Sequence, residues 1–531
     1  VSKLAGFVRD EGFMGEKNSS VLPWFTSGDI DGFFGLFFSG FPDLLLIVGL
    51  APVCGFSAEF VTHRVLPGVA FSVLAGNLFY AWQARRLAAA IGRDDVTAIP
   101  FGVNTPTIFA YVFLIMGPVY ARTHDANIAW HAGIFASLLS GVVQTAGAFG
   151  TDWLRRHTPR AALLCPLAGL ALAYLCLGFV FGVFQQPGVA LVPMIVLFTL
   201  YASRIKLPGR FPPALVAIGI GAALVAVLRH FHLYDAPAAV SVAPGIYLPR
   251  LVNVFGLFGQ GEWWSYLTII LPLAALDTLA SLQILESVKA AGDDFKTTPS
   301  LLMNGIGTLA AACLGSPFPT TLYVGHAAHK ANGARSGYSA INGLVTLLLC
   351  LTGVLPLVLT VIPLEVAGPV IVWFGLVTVG QAFVEVPANQ AIAVAMGLIP
   401  MLSQWATSLL DTVLAKAGSS LLAVMPQFAA PGSELALGGL IALGQGGLLT
   451  SMLWAATLAL AVRRQFWQAA AWMGVAAILS AFGVIHAYAL TPAGVVGRIG
   501  WWVAPEFALA YAAGAVFLLG CWWSAKGLKT S

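Results

Sequence analysis

The chain has 531 residues, 59% of them apolar and only 9% charged, with 26 Lys and Arg against 22 Asp and Glu for a formal net charge of +4. An ordinary soluble domain carries about 25% charged residues. The composition excludes a disordered chain, which is poor in apolar residues, and a nucleic-acid binder held by a dense basic face. The solvent that suits this composition is lipid, and an all-α polytopic membrane protein is predicted.

Residues 1–31 are polar and mildly amphipathic, with Lys3, Arg9 and Lys17 among acids, and read as a cytoplasmic surface segment rather than a secretory signal. A bilayer core takes about 20 helical residues to cross. In chain order that rule gives sixteen segments: 32–54, 64–83, 98–120, 127–149, 161–184, 188–203, 212–229, 264–290, 300–315, 318–331, 338–362, 366–384, 389–414, 434–461, 467–489 and 503–524. Segments 98–120, 300–315 and 318–331 read as short or broken. With the N-terminus inside, alternation puts 20 of the 26 basic residues on the inner side. That bias predicts cytoplasmic N- and C-termini in a cell inner (plasma) membrane. The long loop 230–263 falls outside and reads as solvated despite His230 and His232. The six cysteines lie in or beside apolar runs with no C-x-x-C or metal spacing, so neither disulfides nor a metal site is expected.

The breaks carry the functional signal. Ala98-Ile99-Pro100-Phe101-Gly102-Val103-Asn104-Thr105-Pro106-Thr107 and Ser316-Pro317-Phe318-Pro319-Thr320-Thr321-Leu322-Tyr323 share a Pro-Phe followed by small and hydroxylated residues, 217 positions apart. Proline clashes with the preceding turn, so neither stretch continues as helix. Unwound backbone at membrane depth must be buried in protein or line a wet cavity. Asp43 and Asp277 sit at mid-depth in segments one and eight, 234 apart. The pairing predicts two inverted seven-helix repeats, 32–229 and 264–461, with 462–531 left as an extra helix pair and tail. Paired breaks of this kind point to a transporter site.

An intramembrane carboxylate is a functional candidate by default. Asp277 stands among apolar and small residues, with Ser281 one turn on, and is expected to couple substrate to a proton or sodium ion. Asp43 follows Pro42 and either couples ions or caps the kink. Half-helices starting near Thr105 and Thr321 would aim N–H groups at a polar cargo, beside Asn104, Thr107, Tyr323, Gly325 and His326. His326 could bond substrate or shuttle protons. No nucleotide loop, nucleophile elbow or zinc motif occurs, so no enzyme and no cofactor are expected.

From Asp277 to Pro363 the chain resembles the nucleobase–cation symporter family of xanthine, uracil and purine permeases. Thr320-Thr321-Leu322-Tyr323 followed by Gly333-Ala334-Arg335-Ser336-Gly337 is similar to that family's tenth segment and its exit. Ala98–Tyr111 and Leu276-Asp277-Thr278 are similar to segments three and eight of its adenine/guanine/hypoxanthine branch. The resemblance implies core and gate domains, an elevator-like cycle, a homodimer and a nucleobase-like substrate held between segments three and ten. Gly325 departs from it, because the family usually has Glu there, and Ser281 replaces a frequent His. Loss of that carboxylate leaves room for an alternative cargo on the same architecture, an anion of the sulfate or bicarbonate type.

Overall fold

A computed structural model describes residues 23–203, 205, 213–234, 242–243, 245–259, 261–361, 364–428, 435–491 and 494–530. Most of the expected N-terminal surface segment (1–22) and, in the 230–263 loop, residues 235–241, 244 and 260 lie outside the described residues. Among the described residues, eight helices are long and apolar enough to cross a membrane.

The chain is an all-α polytopic membrane protein of two inverted seven-helix repeats. The first repeat runs α1 (Gly28–Gly49), α2 (Leu66–Ile91), β1 (Phe101–Val103), α3 (Thr105–Tyr111, continued to Thr123 through a wider turn), α4 (Ala126–His157), α5 (Arg160–Leu170, continued to Gln185), α6 (Pro187–Ser203) and α7 (Pro213–His230). The second runs α8 (Leu267–Ala290), α9 (Thr297–Cys313), β2 (Thr320–Leu322), α10 (His326–Ala331), α11 (Gly337–Leu351), α12 (Leu364–Val384), α13 (Ala391–Lys416) and α14 (Gly447–Val462). Two extra helices follow, α15 (Phe466–Ala481) and α16 (Pro505–Thr530).

The helices form two bodies. In the core, α4 packs on α9 and α8, and α11 on α2 and α1. In the gate, α13 and α14 pack on α5, and α12 on α5 and α6. Lipid offers no hydrophobic drive to bring helices together, so small residues that admit close backbones do this work. Between α4 and α9, Gly305 lies against the Thr145 backbone and Gly141 against Leu309.

Four segments differ from the sequence reading, one of them 338–362, which is interrupted between Gly337–Leu351 and Val354–Val361 where Gly353 takes a left-handed backbone. Segment 300–315 is an unbroken helix, since no proline follows Pro299 until Pro317. Segment 434–461 bends by 83° between Leu437–Gly444 and Gly447–Val462, where Gly446 takes a left-handed backbone. Segment 467–489 stops at Ala481. Its tail becomes a hairpin, β3 (Tyr488–Thr491) with β4 (Gly494–Gly497).

Candidate functional site

The two breaks meet. β1 and β2 pair antiparallel, with Phe101 opposite Leu322, Gly102 opposite Thr321 and Val103 opposite Thr320. Each strand satisfies the other's backbone, which is what irregular chain requires at membrane depth. Asn104 N–H donates to Pro319 O at 2.9 Å and Tyr323 N–H to Pro100 O at 2.8 Å, extending the pairing at both ends. Helix α3 starts at Thr105 as expected, capped by Asn104, whose Oδ1 accepts from Thr107 N–H at 3.1 Å.

The second half-helix differs from expectation. Thr321 is strand, and α10 begins only at His326 and lasts six residues. The backbone at Gly325 has φ +119°, which a residue with a Cβ rarely adopts. Gly325 thus serves the sharp exit from β2 and offers no side chain to a cargo.

Both aspartates are buried at the crossing, Asp43 3% exposed and Asp277 7%. Asp277 accepts from Asn104 Nδ2 at 2.5 Å and the Thr321 hydroxyl at 2.7 Å on Oδ1, and from Gln144 Nε2 at 2.7 Å on Oδ2. Asp43 accepts from the Thr105 hydroxyl at 2.7 Å and from the Tyr323 hydroxyl. Ser281 does not line the cavity. It accepts from Asn304 Nδ2 at 2.6 Å and meets the Thr321 hydroxyl at 3.2 Å, so it steadies Thr321 from behind.

A cavity of about 340 Å³ opens beside Asp277. Asn104, Thr105, Thr107, Asp277, Thr321 and Tyr323 line its core side, and Leu167 and Phe374 its gate side. Val324, also in its lining, is 77% exposed. Farther along α3, Phe113 stacks on Tyr174 at 5.5 Å between centroids and Phe109 meets Phe179 edge-on at 6.0 Å, closing core against gate.

His326 lies away from this cavity. Its ring contacts Ala98 O and Asp293 Oδ2, each at 3.1 Å. Lys330 pairs with Asp293 as well, and Arg93 holds Asp95 through two contacts of 2.7 Å. Burial pushes the Asp293 carboxyl up, but bonds from His326, Lys330 and Thr97 and the Lys330 charge outweigh it and hold it below the usual range. Arg93 likewise holds Asp95 low. This group ties the 2–3 and 8–9 connections to α10, and the histidine expected to handle substrate is a structural member of it.

Sequence reasoning missed Gln144. It reads as one neutral polar residue in an apolar run. The available signal was its stripe, since Ser137, Ser140, Gly141 and Gln144 recur on one face of α4.

No family profile matches the sequence, and no curated protein matches it. Solved structures do match in fold. The transmembrane domain of BicA, a cyanobacterial bicarbonate transporter, aligns at TM-score 0.51 and 15% identity over 72% of this chain and 96% of that one. SLC26A9 aligns at TM-score 0.50 and 13% identity over 72% of this chain and 64% of that one. At such identities the likeness gives the fold. It overturns the nucleobase–cation symporter resemblance, because the matched structures are a bicarbonate transporter and SLC26A9 rather than nucleobase permeases.

Proposed function

We propose that this chain is a cation-coupled secondary transporter of a small inorganic anion, of the bicarbonate or sulfate class. The observation that carries the reading is the cavity walled by the crossing strands on the core side and by Leu167 and Phe374 on the gate side. It lies on a fold shared with a bicarbonate transporter. The excess of basic residues on the inner loops supports cytoplasmic termini.

The site's charge explains why a cation would be required. The lining holds one carboxylate, Asp277, and no Lys or Arg. The start of α3 supplies little compensation, because Pro106 has no N–H and that of Thr107 is taken by Asn104. Two like charges 4 Å apart repel by about 4 kcal/mol at an effective dielectric of 20. A proton or sodium ion on Asp277 removes that repulsion and couples the two fluxes. Asp43, bonded to Thr105 and Tyr323 across the crossing, is the second acid in the coupling scheme.

The test is uptake of labelled bicarbonate and sulfate into proteoliposomes under imposed sodium or proton gradients. Accumulation above empty vesicles, collapse when the cation gradient is dissipated, and background uptake by Asp277→Asn are expected. Uptake of neither anion, or uptake indifferent to the gradient and to Asp277→Asn, refutes the proposal.

A further inference from the structure

We infer that Gln144 is the positioning residue that sets how Asp277 holds its cation, with Thr308 deciding which end of the Gln144 amide faces the acid. The inference rests on the reading of Asp277 as the coupling acid and adds the residue that orients it.

The two ends of an amide are alike in shape and opposite in hydrogen-bonding sense. Here the sense is fixed by a chain of bonds. Thr320 N–H, in strand β2, donates to the Thr308 hydroxyl at 3.1 Å. A backbone N–H can only donate, so the hydroxyl's own proton is free to point elsewhere. Of the acceptors around it, Gln144 Oε1 at 3.0 Å is nearer than Thr320 O and the Thr320 hydroxyl, each at 3.4 Å, and takes the proton. Gln144 Nε2 is thereby turned to Asp277 Oδ2 at 2.7 Å. Gln144 is 2% exposed and Thr308 fully buried, so bulk solvent does not reach these positions. On the other carboxylate oxygen, Asn104 is fixed in the same way, since Thr107 N–H occupies its Oδ1 and leaves its Nδ2 for Asp277.

A carboxylate offers about four lone-pair positions. Asn104 and Thr321 take two on Oδ1, and Gln144 takes one on Oδ2. The remaining acceptor position is on Oδ2, beside the Gln144 amide. A cation bound by Asp277 therefore sits next to Gln144. The other ionisable groups near Asp277 are bonded elsewhere. Tyr80 donates to Ser300 O at 2.8 Å, Tyr111 bonds Ser140 and Ala136, and Asp43 is held by Thr105 and Tyr323.

Gln144→Glu keeps the shape and replaces the donor with a second acid against that position. Two adjacent carboxyls hold a cation more tightly than one. Thr308→Val removes the hydroxyl that orients Gln144 and lets the amide reverse, whereas Thr308→Ser keeps it.

The experiment needs no cargo. The melting midpoint of purified protein in detergent is followed while sodium chloride replaces choline chloride, and separately while pH is varied. We expect a saturable stabilisation by one of these cations in the wild type and none in Asp277→Asn. Gln144→Glu lowers the half-saturating cation concentration at least tenfold, Thr308→Val displaces it severalfold, and Thr308→Ser restores the wild-type curve. Should Gln144→Glu not fold, the Thr308 pair decides. Curves for Gln144→Glu and Thr308→Val that superimpose on the wild type, or a wild type with no saturable response, overturn the inference. Absence of anion uptake alongside the expected titrations refutes the proposed cargo and leaves the role of Gln144 standing.

Discussion

Adding one methyl group at Gly102 is expected to dismantle the Asp43 side of the crossing. A Cβ built there falls 2.5 Å from Tyr323 Cζ and 2.6 Å from its hydroxyl oxygen. Carbon atoms rest about 3.5 Å apart or more, so the ring must retreat by roughly 1 Å. That hydroxyl bonds Asp43 and lies 2.8 Å from Val103 O. A retreat of that size takes both contacts beyond hydrogen-bond length. Overpacking costs about 1–3 kcal/mol, and a lost bond to a charged acceptor about 1.5–3 kcal/mol. Gly102→Ala should therefore destabilise by about 2.5–6 kcal/mol. The assay is a double-mutant cycle with Tyr323→Ala, read by unfolding in mixed micelles. Without the ring the three nearest obstacles to the new methyl are gone, and Ala in a strand is slightly better than Gly, so Gly102→Ala should be close to neutral in that background. Equal losses in both backgrounds would refute the steric reasoning and place the effect in the backbone.

Two further outcomes follow from groups around the site. Asp293 and Asp95 are held below the ordinary carboxylate range, so their ionised forms stabilise the folded protein above about pH 4, the unfolded value. That stability is lost as pH falls from there through the depressed folded values. A melting midpoint recorded from pH 6 to pH 3 should drop more steeply in the wild type than in Asp293→Asn, and parallel curves would contradict the assignment. Phe109→Ala should loosen the aromatic closure with Phe179. It is expected to raise severalfold the rate at which a thiol reagent, applied from the face opposite Gly28, labels Thr107→Cys; an unchanged rate would locate the barrier elsewhere.

The parts of the fold that the sequence reveals are those that lipid penalises. Single prolines such as Pro42, Pro166 and Pro272 stay inside helices, but Pro100 with Pro106 and Pro317 with Pro319 stand in pairs among small and hydroxylated residues, which makes both breaks legible, and the strands they form are 219 positions apart against 217 for the Pro-Phe pairs. Buried aspartates are as conspicuous, which is why Asp43 and Asp277 stand out. What stayed hidden depends on partners distant in sequence. His326 looks like a ligand until Asp293 is seen beside it, and Gln144 looks neutral until Asp277 is. The 83° bend in the last repeat helix has glycines as its only mark. The nucleobase resemblance failed for an instructive reason. The residues that carried it hold the architecture: Thr320 bonds Thr308, Tyr323 bonds Asp43, Gly333 packs on Gly28, and the Arg335 N–H bonds Asp29 at 2.8 Å. A motif built from such contacts reports how the crossing is assembled and says little about cargo.

The two acids are wired across the repeats. Asp43, from the first half, holds Tyr323 of the second and Thr105 of its own. Asp277, from the second half, holds Asn104 of the first and Thr321 of its own. On the proposed function, a cation arriving at either acid would pull on both broken segments, whose strands are paired. Apolar contacts between core and gate have no such directionality. Leu163 of α5 lies against Leu276 and Leu279 of α8, and Leu167 and Phe374 face the cavity. Apolar surfaces lose little when they slide past one another, whereas the bonds inside the core cost about 1–3 kcal/mol each to break. On the proposed function, the cheapest large motion would be displacement of an intact core along the gate, and the charge state of its acids would make that displacement depend on the cation.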